Sequence, residues 1–184
     1  EGLKQYGPSK EHRPSPIVEM GLFIDRSGIP LAFCIHPGNT NEQTTLIPLE
    51  EQILRDFSLS KFIVCTDAGL SSERNRKFNN FGGRCFITTQ SIKKLKKDLR
   101  QWCLEPTGWH LKDSLDTYDI SRLEDTAKNR SKLFYKQLYV EGNDGKRDID
   151  FDQTLIVTYS LKYRNYQQQI RNQQILRAIK AIDT

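Results

Sequence analysis

Two short, uninterrupted apolar runs constrain this chain more than any other feature. Lys61-Phe62-Ile63-Val64-Cys65-Thr66 ends at Asp67-Ala68-Gly69, and Cys85-Phe86-Ile87-Thr88-Thr89 follows a glycine turn at Gly82-Gly83. Runs of this length without polar alternation read as buried strands, and covered strands of this kind are usually parallel. Parallel strands cannot be joined by a tight turn, so a crossover must lie between them. A short helix over about residues 72–78 supplies it. Before the first run, Leu46, Leu49, Ile53 and Phe57, joined by Ile47 and Leu54, recur at helical spacing. Pro48 fits only the first turn of that helix, which places its N-cap at Thr44 or Thr45.

Upstream, residues 1–16 are polar, and Pro8, Pro14 and Pro16 predict a loop. A hairpin follows, with strands over 17–24 and 29–36 joined by Asp25-Arg26-Ser27-Gly28. Both strands carry apolar residues on both faces, which predicts a covered sheet. Pro37-Gly38-Asn39-Thr40-Asn41 ends the second strand. The order β-β-α-β-α-β predicts an α/β fold with parallel strands arriving by crossovers.

Downstream, Ser91 is read as the cap of a helix whose apolar stripe is Ile92, Leu95, Leu99 and Trp102. Residues 105–130 are polar and read as irregular. Segments 132–140 and 154–159 read as paired strands joined by a turn-rich stretch at 142–148. A basic helix is predicted from about Lys162 to Ile182.

The net charge of +5 permits a nucleic-acid partner without requiring one. Cys34, Cys65, Cys85 and Cys103 form no C-x-x-C pair, and three lie in apolar runs; they read as buried, reduced, structural thiols, which suits a cytoplasmic protein. No apolar run approaches membrane-spanning length, and no signal peptide is visible at the start. The start lacks an initiator methionine and the end stops just past an amphipathic stretch, so the chain reads as a piece of a longer protein.

Asp67 is the leading candidate for chemistry. A carboxylate at the carboxyl end of a buried strand, followed by small residues, stands where open α/β sheets place ligands. The competing role is a cap of the next turn. Glu42 reads as a helix-start carboxylate or a group supporting such a site. Asp25 reads as a turn residue. His12, His36 and His110 have no zinc spacing, and no phosphate-loop or nucleophile-elbow motif is present. Lys93, Lys94, Lys96, Lys97 and Arg100 read as a solvated helix face or as a phosphate-contacting surface. Trp102, Trp109 and Tyr118 beside them are core residues or stacking platforms for bases. Arg164 and Arg171, with Arg177 and Lys180 on the last helix, could track DNA, or the helix could simply dock by its apolar face.

Met20-Gly21-Leu22-Phe23-Ile24-Asp25, Gly28-Ile29-Pro30-Leu31, Pro37-Gly38-Asn39-Thr40-Asn41-Glu42 and Cys65-Thr66-Asp67-Ala68-Gly69-Leu70 occur in this order. Together they resemble the core of DDE transposases of bacterial insertion sequences, the class with a β-rich insertion in an RNase H-like domain. Tyr6-Gly7-Pro8-Ser9-Lys10, Thr158-Tyr159-Ser160 and Lys162-Tyr163 fit the same class. The resemblance implies an incomplete RNase H-like mixed sheet with flanking helices over 1–90, an inserted α+β segment over 91–160 and a basic helix over 161–184. It implies that Asp67 is the second catalytic acid, that the first lies on a strand before Glu1, and that the third, a Glu, lies beyond Thr184. In the family, the three acids hold two Mg²⁺ ions for DNA cleavage and strand transfer, often in a dimeric complex. The piece alone is expected to be inactive and to bind metal weakly. The alternatives are a non-catalytic nucleic-acid-binding module and a degenerate transposase remnant.

Overall fold

A computed structural model describes residues 2–8, 14–142 and 151–182. The chain is mixed α/β and divides into two compact units, Glu1–Lys94 and Leu95–Thr184. The expected loop at 9–13, with His12, and most of the turn at 142–148 lie outside the described residues. Among the described residues, no helix is long and apolar enough to cross a membrane.

The first unit opens with the antiparallel hairpin β1 (Val18–Ile24) and β2 (Pro30–Pro37). Its turn is built by Asp25, whose Oδ1 accepts the backbone N–H groups of Ser27 and Ile29, both at 2.8 Å. Gly28 completes it at φ +84°, a conformation that side chains disfavour. The hairpin is not covered on both faces, contrary to the sequence reading. Val18, Met20, Leu22 and Ile24 are exposed, and Met20 and Leu22 stand opposite Ile35 and Phe33, which are exposed too. Only the other face meets a helix: a Cβ placed on Gly21 would lie 3.8 Å from Leu49.

That helix, α1 (Leu46–Asp56), buries Leu46, Leu49, Glu50 and Ile53, which share one face at i, i+3, i+4, i+7. Thr45 holds its N-cap position, and Pro48 falls in the first turn as the sequence requires. Phe57 lies past the helix end and is exposed. β3 (Phe62–Thr66) and β4 (Arg84–Thr88) pair in parallel, Phe62 with Arg84 through Thr66 with Thr88. The crossover between them is α2 (Glu73–Phe78), capped by Ser72 Oγ, which accepts the N–H of Asn75. Gly82 and Gly83 return the chain at positive φ.

The parallel pairing is as expected, but its burial is not. Val64 is buried, whereas Ile63, Cys65, Cys85 and Ile87 are exposed, because one face of this two-stranded sheet has no covering element among the described residues of the unit. The expectation of buried strand thiols therefore fails for Cys65 and Cys85. Cys34 is half-buried, Cys103 is buried, and all four thiols are free. Nor is one mixed sheet formed among the described residues: β1–β2 and β3–β4 are separate two-stranded sheets.

The second unit carries α3 (Lys97–Leu104), β5 (His110–Leu111), α4 (Ala127–Arg130), β6 (Phe134–Val140), β7 (Gln153–Tyr159) and α5 (Leu161–Ile182). Its antiparallel sheet runs β5-β6-β7. Trp109, Phe134, Val157, Leu161 and Cys103 are among its buried residues, with the rings of Tyr118 and Phe134 edge to face at 5.4 Å. Residues 105–130 are thus more ordered than their polarity suggests. The expected helix from Ser91 is broken: Ile92–Lys94 forms one 3-10 turn, and α3 begins only at Lys97. A continuous helix would stack Lys93 on Lys96 and Lys97, and Lys94 on Lys97, at repelling i, i+3 and i, i+4 positions. α5 is tied to the second unit by buried Leu161 and by Asn165, whose amide donates to Asp125 at 2.8 Å. From Arg171 to Ile182 its side chains are exposed.

Glu50 is fully buried, and burial pushes its pKa up to about 7 from 4.5, against the opposing pull of the Asn79 amide and the Arg84 charge. The folded chain therefore binds this proton more tightly than the unfolded chain. The resulting stability is full below about pH 4.5 and fades as pH rises through about 7. Chemical denaturation from about pH 5 to about pH 8 is expected to show a decline on the order of 3 kcal/mol at most. Glu50→Gln is expected to flatten that decline; an unchanged slope would show that Glu50 is not its source.

Candidate functional site

Asp67 leaves the carboxyl end of β3 and starts the 3-10 turn Ala68–Leu70. Its Oδ1 accepts the Gly69 N–H at 2.9 Å, so it does cap the turn. The carboxylate is nevertheless exposed, and among the described residues Oδ2 has no hydrogen-bond partner. Its main chain is held from the neighbouring strand: Thr88 Oγ1 donates to the Asp67 carbonyl at 3.1 Å, and Thr66 Oγ1 donates to Thr88 Oγ1 at 3.0 Å. Capping and ligand binding are therefore not exclusive, since one oxygen does the first and the other has no hydrogen-bond partner among the described residues.

Glu42 is the second carboxylate of the site. It begins the 3-10 turn Glu42–Thr44, capped by the Asn41 side chain, and is exposed. A Cβ built on Gly69 would stand 3.1 Å from Glu42 Oε2 and 3.1 Å from Asp67 Oδ1. The two oxygens can be no farther apart than twice that distance. Both stand beside a residue that has no side chain to separate them. Mg²⁺ favours such hard oxygen donors and keeps water in its remaining positions. Among the described residues, no group of three His, Cys, Asp or Glu side chains is gathered to hold a metal. The pair thus fits one side of a divalent-ion site and does not close it.

The other candidates lie elsewhere. Asp25 spends its carboxylate on the hairpin turn. His36 is half-buried on β2, and His110 faces the Tyr135 ring in the second unit. The basic cluster is divided, with Lys93 and Lys94 closing the first unit and Lys96, Lys97 and Arg100 in the second, all exposed. Arg164 is half-buried and engaged within its own unit, 4.0 Å from Asp125 and 3.4 Å from the Tyr159 hydroxyl. Arg171 is exposed. Trp109 is core and Tyr118 packs on Phe134, so neither is a free stacking platform.

Sequence reasoning passed over Lys136. It is 4% exposed, and its ammonium lies 4.9 Å from the centre of the Trp102 ring and 4.8 Å from that of Trp109, while donating to the Glu105 carbonyl at 2.9 Å. Burial lowers its pKa. A hollow of about 350 Å³ beside it is lined in part by Trp102, Glu105, His110 and Tyr135. The signal was a lysine in the inward set of β6, whose other members are Phe134, Leu138 and Val140. Two ring faces and one carbonyl compensate the lost hydration, each ring contributing on the order of 1 kcal/mol. Lys136→Met keeps the stem and removes the charge, and is expected to shift stability by no more than about 1 kcal/mol. Lys136→Ala leaves a cavity and is expected to cost about 2 kcal/mol or more, measured by urea unfolding.

No protein-family model, no curated protein and no solved structure matches the chain.

Proposed function

We propose that this chain is part of a DDE transposase that cleaves and joins DNA strands with divalent metal ions, and that Asp67 is one of its metal ligands. The observation that carries the reading is the exposed Asp67 carboxylate at the carboxyl end of a parallel strand, converging with Glu42 above Gly69. The sequence resemblance supplies the reaction, and the geometry supplies oxygen donors where that reaction needs them. Two acids cannot clamp two ions, so the remaining ligands would come from a longer polypeptide. The open outer faces and edges of both small sheets support that view, since a further strand and covering helices would bury Met20, Leu22, Phe33 and Ile87.

In this reading the ions, when bound, polarise the scissile phosphate and its attacking water or 3′-hydroxyl. Asp67 would offer Oδ2 while its Oδ1 stays on Gly69, and Glu42 would offer Oε2. Thr88 would hold the Asp67 backbone in register. A second reading, nucleic-acid binding without catalysis, draws on α5, whose cations Lys162, Arg164, Arg171, Arg177 and Lys180 are accompanied by no acid from Leu161 to Ile182.

The parent protein, assayed on the DNA ends of its own element with Mg²⁺, is expected to lose strand cleavage in Asp67→Asn and to be weakened in Glu42→Gln. Full cleavage by Asp67→Asn would end the catalytic reading. In fluorescence anisotropy with duplex DNA, Arg171→Ala is expected to weaken binding and to reduce the salt slope by about 1. Salt-independent binding would count against phosphate contacts.

A further inference from the structure

We infer that Asn75 is the positioning residue of the carboxylate pair: its side-chain amide clamps the turn that carries Glu42 to the turn that carries Asp67. The inference rests on the proposed metal role of that pair and adds to it the element that sets its spacing.

Glu42 and Asp67 lie on separate 3-10 turns, one before α1 and the other after β3. Each turn is only three residues long, and neither would hold a carboxylate at a fixed distance from the other unaided. Asn75 joins them. Its Nδ2 donates to the Gln43 carbonyl at 3.0 Å and to the Leu70 carbonyl at 3.0 Å. Gln43 is the next residue after Glu42, and Leu70 follows Gly69. Both amide protons are thus used, one on each turn, on the residue after Glu42 and on the residue three positions after Asp67.

The amide is itself held firmly. Asn75 is 2% exposed and lies in the first turn of α2, where its backbone N–H donates to Ser72 Oγ at 3.2 Å. Its orientation is fixed by chemistry, because two carbonyl oxygens can be met only by the NH₂ end. Its Oδ1 is buried without a hydrogen-bond partner among the described residues. An unpaired buried acceptor is costly, so an amide kept at such a place calls for a compensating role, and bridging the two turns is that role. One helical turn on, Asn79 is equally buried, and its amide donates to both Glu50 oxygens and to the Asn75 carbonyl rather than to either turn. It touches neither carboxylate turn through the bonds described, which makes it a matched control.

The test uses Mn²⁺ as the probe and amide NMR of this chain as the readout, so it needs no catalysis. The Gly69 N–H lies beside both carboxylates and should broaden selectively as Mn²⁺ is added. Asp67→Asn should abolish that response. Asn75→Ala should raise the Mn²⁺ concentration needed by about tenfold or more, as loss of a group that orients metal ligands does. Asn79→Ala should leave it unchanged even where it lowers thermal stability as much. A wild-type chain that shows no selective broadening at Gly69 overturns the metal role of the pair, and this inference with it. A wild-type response that Asn75→Ala leaves intact overturns the inference alone, as does an equal weakening in Asn75→Ala and Asn79→Ala. If Asn75→Ala does not fold, the side-chain amide signals of Asn75 in the wild-type chain decide. They must shift on adding Mg²⁺ and stay still in Asp67→Asn; signals that do not move overturn the clamp.

Discussion

The first unit is organised by one constraint, that two parallel strands cannot be joined directly. β3 and β4 run the same way, so the chain must leave β3 at its carboxyl end, cross through α2 and return. The exit point is Asp67. A strand that ends there has one more ladder position to satisfy, and Thr88 satisfies it by donating to the Asp67 carbonyl. Sheet pairing therefore fixes the backbone of Asp67 while leaving its side chain outside the sheet. α2 begins within a few residues of that exit, and so brings Asn75 against the same turn.

Polar groups are concentrated where α1 meets α2. Glu50 occupies a position in the buried stripe of α1 that an apolar residue would normally take, and Asn79 donates to both of its oxygens at 2.9 Å. Such an arrangement is worth little as net stability, because desolvation offsets the bonds. It does restrict how the two helices can pack, since sliding either one would strand a buried carboxyl. Lys136 follows the same rule in the second unit. A buried ammonium is tolerated there because two indole rings and a carbonyl replace its water.

The legible parts of the fold were those set by local chemistry. Asp25 and Gly28 announced the hairpin turn, Pro48 located the start of α1, and Gly82-Gly83 marked the return to β4. The apolar runs correctly indicated parallel pairing but misled about burial. An apolar run reports the environment a strand is suited to, not whether this chain supplies both covering layers, so Ile63, Cys65, Cys85 and Ile87 are exposed. Periodicity likewise joined Ser91 to Trp102 in one helix, although like charges at 93, 94, 96 and 97 oppose it. At the site, Asp67 was readable from its place after a strand. Its nearness to Glu42 was not, because the two lie 25 positions apart in sequence and are brought round by α1 and β3. Asn75 was unreadable for the same reason: its two acceptors are main-chain carbonyls, which leave no trace in residue type.

The carboxylate pair illustrates how one side chain can serve both fold and chemistry. If Asp67 had both oxygens on backbone amides, it would be a cap and nothing more. With only Oδ1 on Gly69, the cap would, in the proposed metal role, orient the other oxygen in advance, so that less freedom would be lost on binding a cation. Exposure limits what the pair achieves alone, because water screens the attraction to a cation and only two side chains share its charge. Burial by further layers would lower the local dielectric and strengthen each contact with the ion. The same layers would cover the apolar strand faces that now meet solvent, so in the proposed function covering the sheet and strengthening the site would go together.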